Sequence, residues 1–314
     1  MKSRHLTLAI LGPTASGKSA FAIEVAARLG GEIVCLDSST VYRELDIGTS
    51  KPSREERERV RHHLLDVLNP DENFSAYHFV EQAESSITEI ASRGKLPIVV
   101  GGTYFYLRAL QHGMYQNVFV SAVEIEAIEN EYTIDETLDG EKMYANLKSQ
   151  DPAAAEKIHP NDRYRLVRAL AILKHYKQKP SELKPERVSP EQSSRLWMKY
   201  AMAVSRRVLT NNITRRTETM LMTGLVDEAR ALLQKYPKTR SLSCIGYNEA
   251  ARFLSKELTD KQLRNEIIEK TRRLAKRQIT WLRSDPEIRY VDSRDLDRVA
   301  LEVENLKYAL ETPP

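Results

Sequence analysis

Eight residues near the start of the chain carry the most specific chemistry. Gly12-Pro13-Thr14-Ala15-Ser16-Gly17-Lys18-Ser19 fits the P-loop pattern G-x4-G-K-[ST]. Its glycines let backbone N–H groups close on phosphate oxygens, Lys18 supplies a point charge, and the Ser19 hydroxyl is of the type that holds Mg²⁺. An apolar run, Leu6–Leu11, precedes it, and Ser19–Leu29 follows with apolar residues at helical spacing. That is the strand and helix N-terminus such a loop needs. The constellation binds a phosphate or diphosphate without saying which compound. Asp37 closes a second apolar run, Ile33–Leu36. It reads as a turn or cap residue, as a metal-holding carboxylate, or as a general base. Gly101-Gly102-Thr103 closes a third run, Leu96–Val100. It is either a plain strand-to-helix turn or a close approach of backbone to ligand with the Thr103 hydroxyl at hand. No N-K-x-D tetrapeptide is present, which disfavours a GTPase.

The elements that must position these residues alternate. Strands at 6–11, 33–36 and 96–100 are separated by helical patterns, including Glu81–Arg93. Such alternation predicts a parallel sheet, whose ligands bind outside the carboxyl ends of the strands. One crevice could then hold the P-loop, Asp37 and Thr103. From 115 to 190 the patterns turn helical, at Val123–Glu131, Glu141–Ser149 and Arg163–Tyr176, followed by a polar, Pro-bearing linker at Gln178–Gln192. A strand resumes at Trp197–Val204, and helices are expected at Asn211–Tyr236 and Thr259–Arg283. The expected fold is α/β. A P-loop NTPase-like parallel-sheet core flanked by helices, built from 1–114 and 191–314, carries an all-helical insertion domain at 115–190.

Composition narrows the class. The 314 residues are 41% hydrophobic and 29% charged, so a packed core is feasible and wholesale disorder is excluded. Two cysteines, Cys35 and Cys244, rule out a disulfide framework or a Cys-based zinc site, and Cys35 reads as a core thiol. No apolar run approaches the ~20 residues of a membrane span, and the opening run is too short for a signal peptide, so a cytosolic protein is expected. The net charge of +4 is mainly a solubility statement. Its distribution says more, because Thr259–Arg283 holds eight basic residues against three acidic ones. At 100° per residue, Leu263, Ile267, Leu274 and Trp281 share a narrow sector expected to pack on the core. Lys261, Arg272, Lys276 and Arg283 lie opposite, Arg264 and Arg273 on the flanks, and Lys270 and Arg277 close to the apolar sector. The cationic side is either a solvated face or a surface for RNA phosphates.

Taken together these residues resemble the tRNA dimethylallyltransferase (tRNA isopentenyltransferase) family. The matching stretches begin with GPTASGKS (12–19), Asp37-Ser38 with Val41-Tyr42, Ile47–Pro52, and His62-His63-Leu64-Leu65-Asp66. They continue through Phe74-Ser75, GGT with Tyr106-Leu107, Asn161-Asp162, and Arg168-Ala169-Leu170. The last are Arg216 with Met220, Gly224-Leu225, Ile245-Gly246-Tyr247, and Ala275-Lys276-Arg277-Gln278 with Thr280-Trp281. They run in family order across nearly the whole chain.

The resemblance implies that dimethylallyl diphosphate gives its five-carbon group to N6 of adenine 37 in the tRNA anticodon loop, with Mg²⁺. It makes Asp37 the base and brings Thr103 and Arg216 to the same site. It assigns the diphosphate to Gly12, Thr14, Ala15, Ser16, Gly17, Lys18 and Ser19, with Ser19 on the metal. It assigns the anticodon stem-loop, with adenines at 36 and 37, to Asp37, Ser38, Ser39, Thr40, Thr103, Arg273, Lys276 and Arg277. A monomer is expected.

The chain departs from the family's usual residues at Thr40 (Gln), Tyr104-Phe105 (a small or aliphatic pair), Tyr164 (Arg), Asn212 (Arg), Asn248 (Lys) and Leu274 (Tyr). These positions surround the tRNA and allyl pockets and bear on affinity and substrate range, while the diphosphate residues are intact. The Cys/His zinc element of eukaryotic relatives is missing, which points to the bacterial type. His62 and His63 match the family motif but read as structural. Two other functions compete with this one. One is prenyl transfer to a free adenine nucleotide, or a small-molecule kinase on the same fold; the other is RNA binding without catalysis.

Overall fold

A computed structural model describes residues 5–113, 120–134, 137–183, 195–237 and 239–311. The chain divides into one unit formed by Met1–Gln111 with Ser189–Pro314 and a second at His112–Val188. The boundaries expected at 114/115 and 190/191, and most of the expected linker, lie outside the described residues.

In chain order the strands are β1 (Leu6–Leu11), β2 (Gly31–Leu36), β3 (His62–His63), β4 (Leu96–Gly101), β5 (Thr133–Ile134), β6 (Thr137–Leu138), β7 (Leu196–Met202) and β8 (Arg289–Val291). Six of them form the sheet of the first unit in the order β3-β2-β4-β1-β7-β8, with every pairing parallel. Every residue of β1 is buried, as expected for a central strand covered on both faces. Leu8, Ile10, Phe21, Val25, Ile33, Ile98 and Tyr200 share its core.

The helices of the first unit are α1 (Lys18–Leu29), α2 (Arg54–Arg59), α3 (Ala76–Ser92) and α4 (Tyr104–His112) before the insertion. The insertion contributes α5 (Ala122–Tyr132), α6 (Gly140–Gln150), α7 (Pro152–Ala155) and α8 (Arg163–Ala171), the last prolonged by a π turn at Ile172–Tyr176. After it come α9 (Arg206–Met222), α10 (Leu225–Lys235), α11 (Tyr247–Leu254), α12 (Asp260–Arg283) and α13 (Leu296–Glu311).

Three expectations need correction. The insertion is not all-helical, because β5 and β6 pair as a small antiparallel hairpin where β-branched Thr133, Ile134 and Thr137 favour extended backbone. The helix expected over Asn211–Tyr236 is two. Gly224 at φ 105° takes a left-handed conformation that ends α9 and starts α10. The apolar stripe of α12 divides its work: Leu263 and Ile267 are buried in a second core with Val41, Leu45 and Tyr247, whereas Trp281 is 42% exposed.

Edge strand β3 is tied down by charge. Buried Glu32 of β2 lies 2.7 Å from His63 Nε2 and accepts hydrogen bonds from Arg93 at 2.6 Å and Lys95 at 2.8 Å. His62 Nδ1 lies 2.7 Å from the Val60 carbonyl. Both histidines are thus held by local structural contacts.

Candidate active site

The loop between β1 and α1 curls tightly, with the Ser16 N–H donating to the Pro13 carbonyl at 3.2 Å. Ala15 is held at φ 63°, a strained setting for a residue with a Cβ. Its carbonyl accepts from Asn212 Nδ2 of α9 at 3.1 Å, so one of the unusual residues noted above braces the strained turn. Ser16 Oγ is buried without a hydrogen-bond partner among the described residues.

The carboxyl ends of β1, β2 and β4 open on a cavity of about 570 Å³ within the first unit. Its wall includes Thr14, Lys18 and Ser19 of the loop, the run Asp37–Thr40, and Gly101–Phe105. Arg216 of α9 and Leu274, Arg277, Gln278 and Trp281 of α12 complete it. The expected catalytic residues Asp37, Thr103 and Arg216 therefore line one space together with the P-loop lysine.

Three charged groups there are held by neutral partners. Lys18 Nζ donates to the Pro13 carbonyl at 3.4 Å. Burial lowers its pKa to about 8, with the Arg216 charge pushing the same way and Asp37 opposing. Arg216 donates to Thr14 Oγ1 at 2.9 Å and to the Thr49 carbonyl at 3.3 Å. Burial pulls its pKa down while Asp37 pulls it up. Asp37 Oδ1 accepts from the Ser39 N–H at 2.8 Å and the Ser39 hydroxyl at 2.6 Å. None of the three closes an ion pair with a described residue, and Asp37 Oδ2 is without a hydrogen-bond partner among them. The result is one carboxylate and two cations facing the same cavity.

The remaining expected residues fall around this centre. The Thr103 carbonyl accepts the first bond of α4, from the Tyr106 N–H at 2.9 Å. Ser38 is exposed, and Thr40 is buried with its hydroxyl unpartnered among the described residues. Arg273, Lys276 and Arg277 are exposed on α12. Arg273 is paired with Glu269, while Lys276 and Arg277 make no ion pair with a described residue. Lys270, which did not fit the cationic side of the helix, pairs instead with buried Glu249 at 2.6 Å.

Sequence reasoning missed three wall residues, Gln278, Trp281 and Cys244, while Tyr104 is one of the departures expected around the tRNA and allyl pockets. Gln278 bridges two loops, accepting from the Thr14 N–H at 2.8 Å and donating to the Gly102 carbonyl at 3.1 Å. Tyr104 and Trp281 form a tilted aromatic pair with centroids 5.8 Å apart, the Tyr104 hydroxyl donating to Asp285 at 3.1 Å. Cys244 lines the same cavity as Cys35, and burial with the Asp37 charge pushes both thiols up, Cys244 to about 12. The signal for α12 was its spacing. Leu274, Arg277, Gln278 and Trp281 recur at i, i+3, i+4 and i+7 and so share a face. The structure turns that face to the cavity.

The Ser19 hydroxyl on this wall is a hard oxygen donor of the type that would hold a divalent cation beside substrate phosphates. Among the described residues no group of three or more His, Cys, Asp or Glu side chains could bind a metal by itself. A donor of that type suits Mg²⁺, which binds through one or two protein oxygens together with substrate phosphates.

A parallel sheet with a P-loop sequence after its central strand, opening on two cations and a carboxylate that close no ion pair with a described residue, defines a P-loop-like α/β protein. Residues 40–285 match the family model described as IPP transferase, and the chain belongs to that family. It is 40% identical over 305 residues to tRNA dimethylallyltransferase 2 of Syntrophus aciditrophicus (strain SB), across 96% of this chain and 94% of that one. The crystal structure of the full-length tRNA isopentenylpyrophosphate transferase of Bacillus halodurans is similar at TM-score 0.69 and 35% identity, over 98% of this chain and 96% of that one. A eukaryotic dimethylallyltransferase acting on tRNA gives TM-score 0.73 at 26% identity, over 97% of this chain and 78% of that one.

Proposed function

We propose that this chain transfers the dimethylallyl group of dimethylallyl diphosphate to N6 of adenine 37 beside the tRNA anticodon and releases diphosphate. The observation that carries this reading is the shared cavity. Asp37, with one carboxylate oxygen that has no hydrogen-bond partner among the described residues, shares it with Lys18 and Arg216, neither of which closes an ion pair with a described residue.

The exocyclic amine of adenine is a poor nucleophile because its lone pair is delocalised into the ring. Asp37 takes the N6 proton as the new C–N bond forms. The allylic C–O bond breaks and its electron pair leaves with diphosphate. Lys18, Arg216 and the loop N–H groups stabilise the charge that develops on the leaving oxygen. The Ser19 hydroxyl would hold Mg²⁺ against the diphosphate, where the ion neutralises leaving-group charge. Adenine 37 must first leave its stack, at a cost of about a few kcal/mol. The exposed aromatic face of Trp281 at the cavity offers stacking worth roughly 1–3 kcal/mol per base. Arg273, Lys276 and Arg277 would position the stem-loop through its phosphates, and Ser38, Ser39 and Thr40 would approach the loop bases. A monomer acting in the cytosol belongs to this proposal. No helix among the described residues is long and apolar enough to cross a membrane.

A free adenine nucleotide would need no cationic helix face, which is the feature that favours RNA as acceptor. The test offers labelled dimethylallyl diphosphate and Mg²⁺ with three acceptors in parallel. These are an anticodon stem-loop with adenines at 36 and 37, the same loop with guanine at 37, and AMP. Label on the first alone is the expected result. Label on AMP alone would move the chain to free nucleotides. Stem-loop binding without any transfer would leave an RNA-binding protein or a different phosphorylated donor.

A further inference from the structure

We propose that Gln278 is a positioning residue for the transfer step, fixing Thr103 and Arg216 relative to the phosphate cradle. The proposal rests on the reading above for its reaction, and on hydrogen bonds for its geometry.

Both ends of the Gln278 amide are occupied by backbone from different strands. Oε1 accepts from the Thr14 N–H in the loop after β1, and Nε2 donates to the Gly102 carbonyl in the turn after β4. The two contacts reach across 264 and 176 residues of sequence. The fit is close: a Cβ on Gly102 would lie 2.3 Å from Gln278 Nε2 and 3.0 Å from the Gly12 carbonyl oxygen. Only glycine lets the loop, the turn and the amide meet.

The consequences extend one bond further on each side. Thr14 Oγ1 accepts from Arg216, so the residue that Gln278 holds by its backbone holds the α9 cation by its side chain. Gly102 directly precedes Thr103. One amide thus sets the loop of β1, the turn of β4 and the arginine of α9 in register. It also commits the Thr14 N–H, as the Pro13 carbonyl commits the Ser16 N–H, so the phosphate contacts fall to the other N–H groups of the loop.

No other side chain does both jobs. Glutamate keeps an acceptor for Thr14 but loses the donor to Gly102, asparagine is a methylene short, and alanine leaves an N–H and a carbonyl unpaired. Arg277, the neighbouring residue, is exposed at the cavity wall. The helix proposed to meet RNA therefore also carries the clamp on the cradle.

The experiment compares wild type with Gln278→Ala and Gln278→Glu. It measures melting temperature, stem-loop affinity, affinity for inorganic diphosphate with Mg²⁺, and the kcat and KM of transfer. Small misplacements of reacting groups can cost about 10²-fold. Gln278→Ala should therefore lower kcat by roughly 10- to 100-fold and weaken diphosphate binding several-fold, with stem-loop affinity and melting nearly unchanged. Gln278→Glu should be impaired near pH 8 and recover relative to wild type as pH falls towards 5, because its protonated carboxyl regains a donor for Gly102. Unchanged kcat and diphosphate affinity in Gln278→Ala would overturn the proposal. So would a loss of stem-loop affinity and melting temperature in step with kcat, which marks a purely structural role. If Gln278→Ala does not fold, Gln278→Glu decides: a ratio to wild type that is flat with pH overturns it. If wild type itself transfers nothing, the reaction read above fails. The diphosphate affinities of the three proteins still decide the positioning role.

Discussion

Glu32 lies near the amino end of β2 and Asp37 just past its carboxyl end, and their surroundings differ in kind. Glu32 is 2% exposed and is ringed by His63, Arg93 and Lys95 at 2.6–2.8 Å. Desolvation alone would raise its pKa. Hydrogen bonds from Lys95 and His63 and the Arg93 charge outweigh it and hold the carboxyl below its ordinary value. Those charges neutralise one another, and in doing so dock edge strand β3 and the turn between α3 and β4. Around Asp37 the charges are kept apart. Asp37 is held by Ser39, Lys18 by a carbonyl, and Arg216 by Thr14 and the Thr49 carbonyl. Ions closed on each other build scaffold; ions held by neutral partners are left for a ligand. Burial, with the Arg216 charge, is what lowers the pKa of Lys18 there, and Asp37 only partly opposes it.

The largest effect expected from breaking this contrast is at Asp37. Asp37→Ala should lower turnover by roughly 10²–10⁴-fold, the usual size of a general-base contribution. Stem-loop binding and melting should stay near wild type, because the carboxylate closes no ion pair with a described residue; steady-state rates at saturating substrates check it, and an unchanged rate removes the base role. Lys18→Ala comes next, with a loss of about 10²–10³-fold expected for one charged donor to the leaving group. Full activity would mean that the loop is not the donor site. Lys18 also predicts a pH signature. Its pKa of about 8 in the folded protein stands against an ordinary lysine value of 10.5. Between these values the unfolded chain binds more protons, so the stability of the ligand-free protein rises with pH across that window. Diphosphate, by favouring the charged amine, should take up a proton on binding there. Calorimetry in buffers of different ionisation heat measures this, and the uptake should vanish in Lys18→Ala.

The half of the site that is local in sequence was legible, and the half that is not was hidden. The P-loop, Asp37 and Thr103 each follow an apolar run directly, so strand ends could be read and their convergence inferred from parallel topology. Strands β3 and β8, of two and three residues, carry no periodic signal and escaped notice. Gly224 lies within a helix-periodic stretch, where a lone glycine reads as a weak helix residue until its positive φ is seen. Arg216 stands on a helix with several arginines, and only the family resemblance singled it out. Leu274 and Trp281 satisfied a core stripe and a cavity wall equally well by residue type. The role of Gln278 depends on partners far away in sequence, which composition and spacing do not encode.

The scaffold end of β2 should fail in a different currency. Glu32→Gln removes the negative charge from His63, Arg93 and Lys95. Breaking a buried pair commonly costs about 3–5 kcal/mol, but Arg93 and Lys95 stay partly in water, so about 1–3 kcal/mol is expected here. Turnover per folded molecule should be unchanged. Because the pKa of Glu32 is depressed when folded, its contribution is present above the ordinary value of 4.5 and is lost as pH falls below it. Acid unfolding monitored below that value should therefore be steeper in wild type than in the variant. Equal slopes, or a loss of kcat matching that at Asp37, would erase the contrast between the two ends.

The smallest effect concerns the exposed cations of α12. Neutralising Arg273 and Lys276 together should weaken stem-loop binding and flatten its salt dependence by about one log unit per lost phosphate contact. The two should not contribute equally. Arg273 is paired with Glu269 one turn away and must exchange that exposed partner for a phosphate, whereas Lys276 has no described partner to give up. Lys276→Ala alone should therefore take the larger share of the slope. Binding measured across a salt series for each single variant and the pair resolves this. A slope unaltered in all three would place these residues on a solvated face, and the distinction between closed and open charges would then hold inside the cavity but not on the helix that borders it.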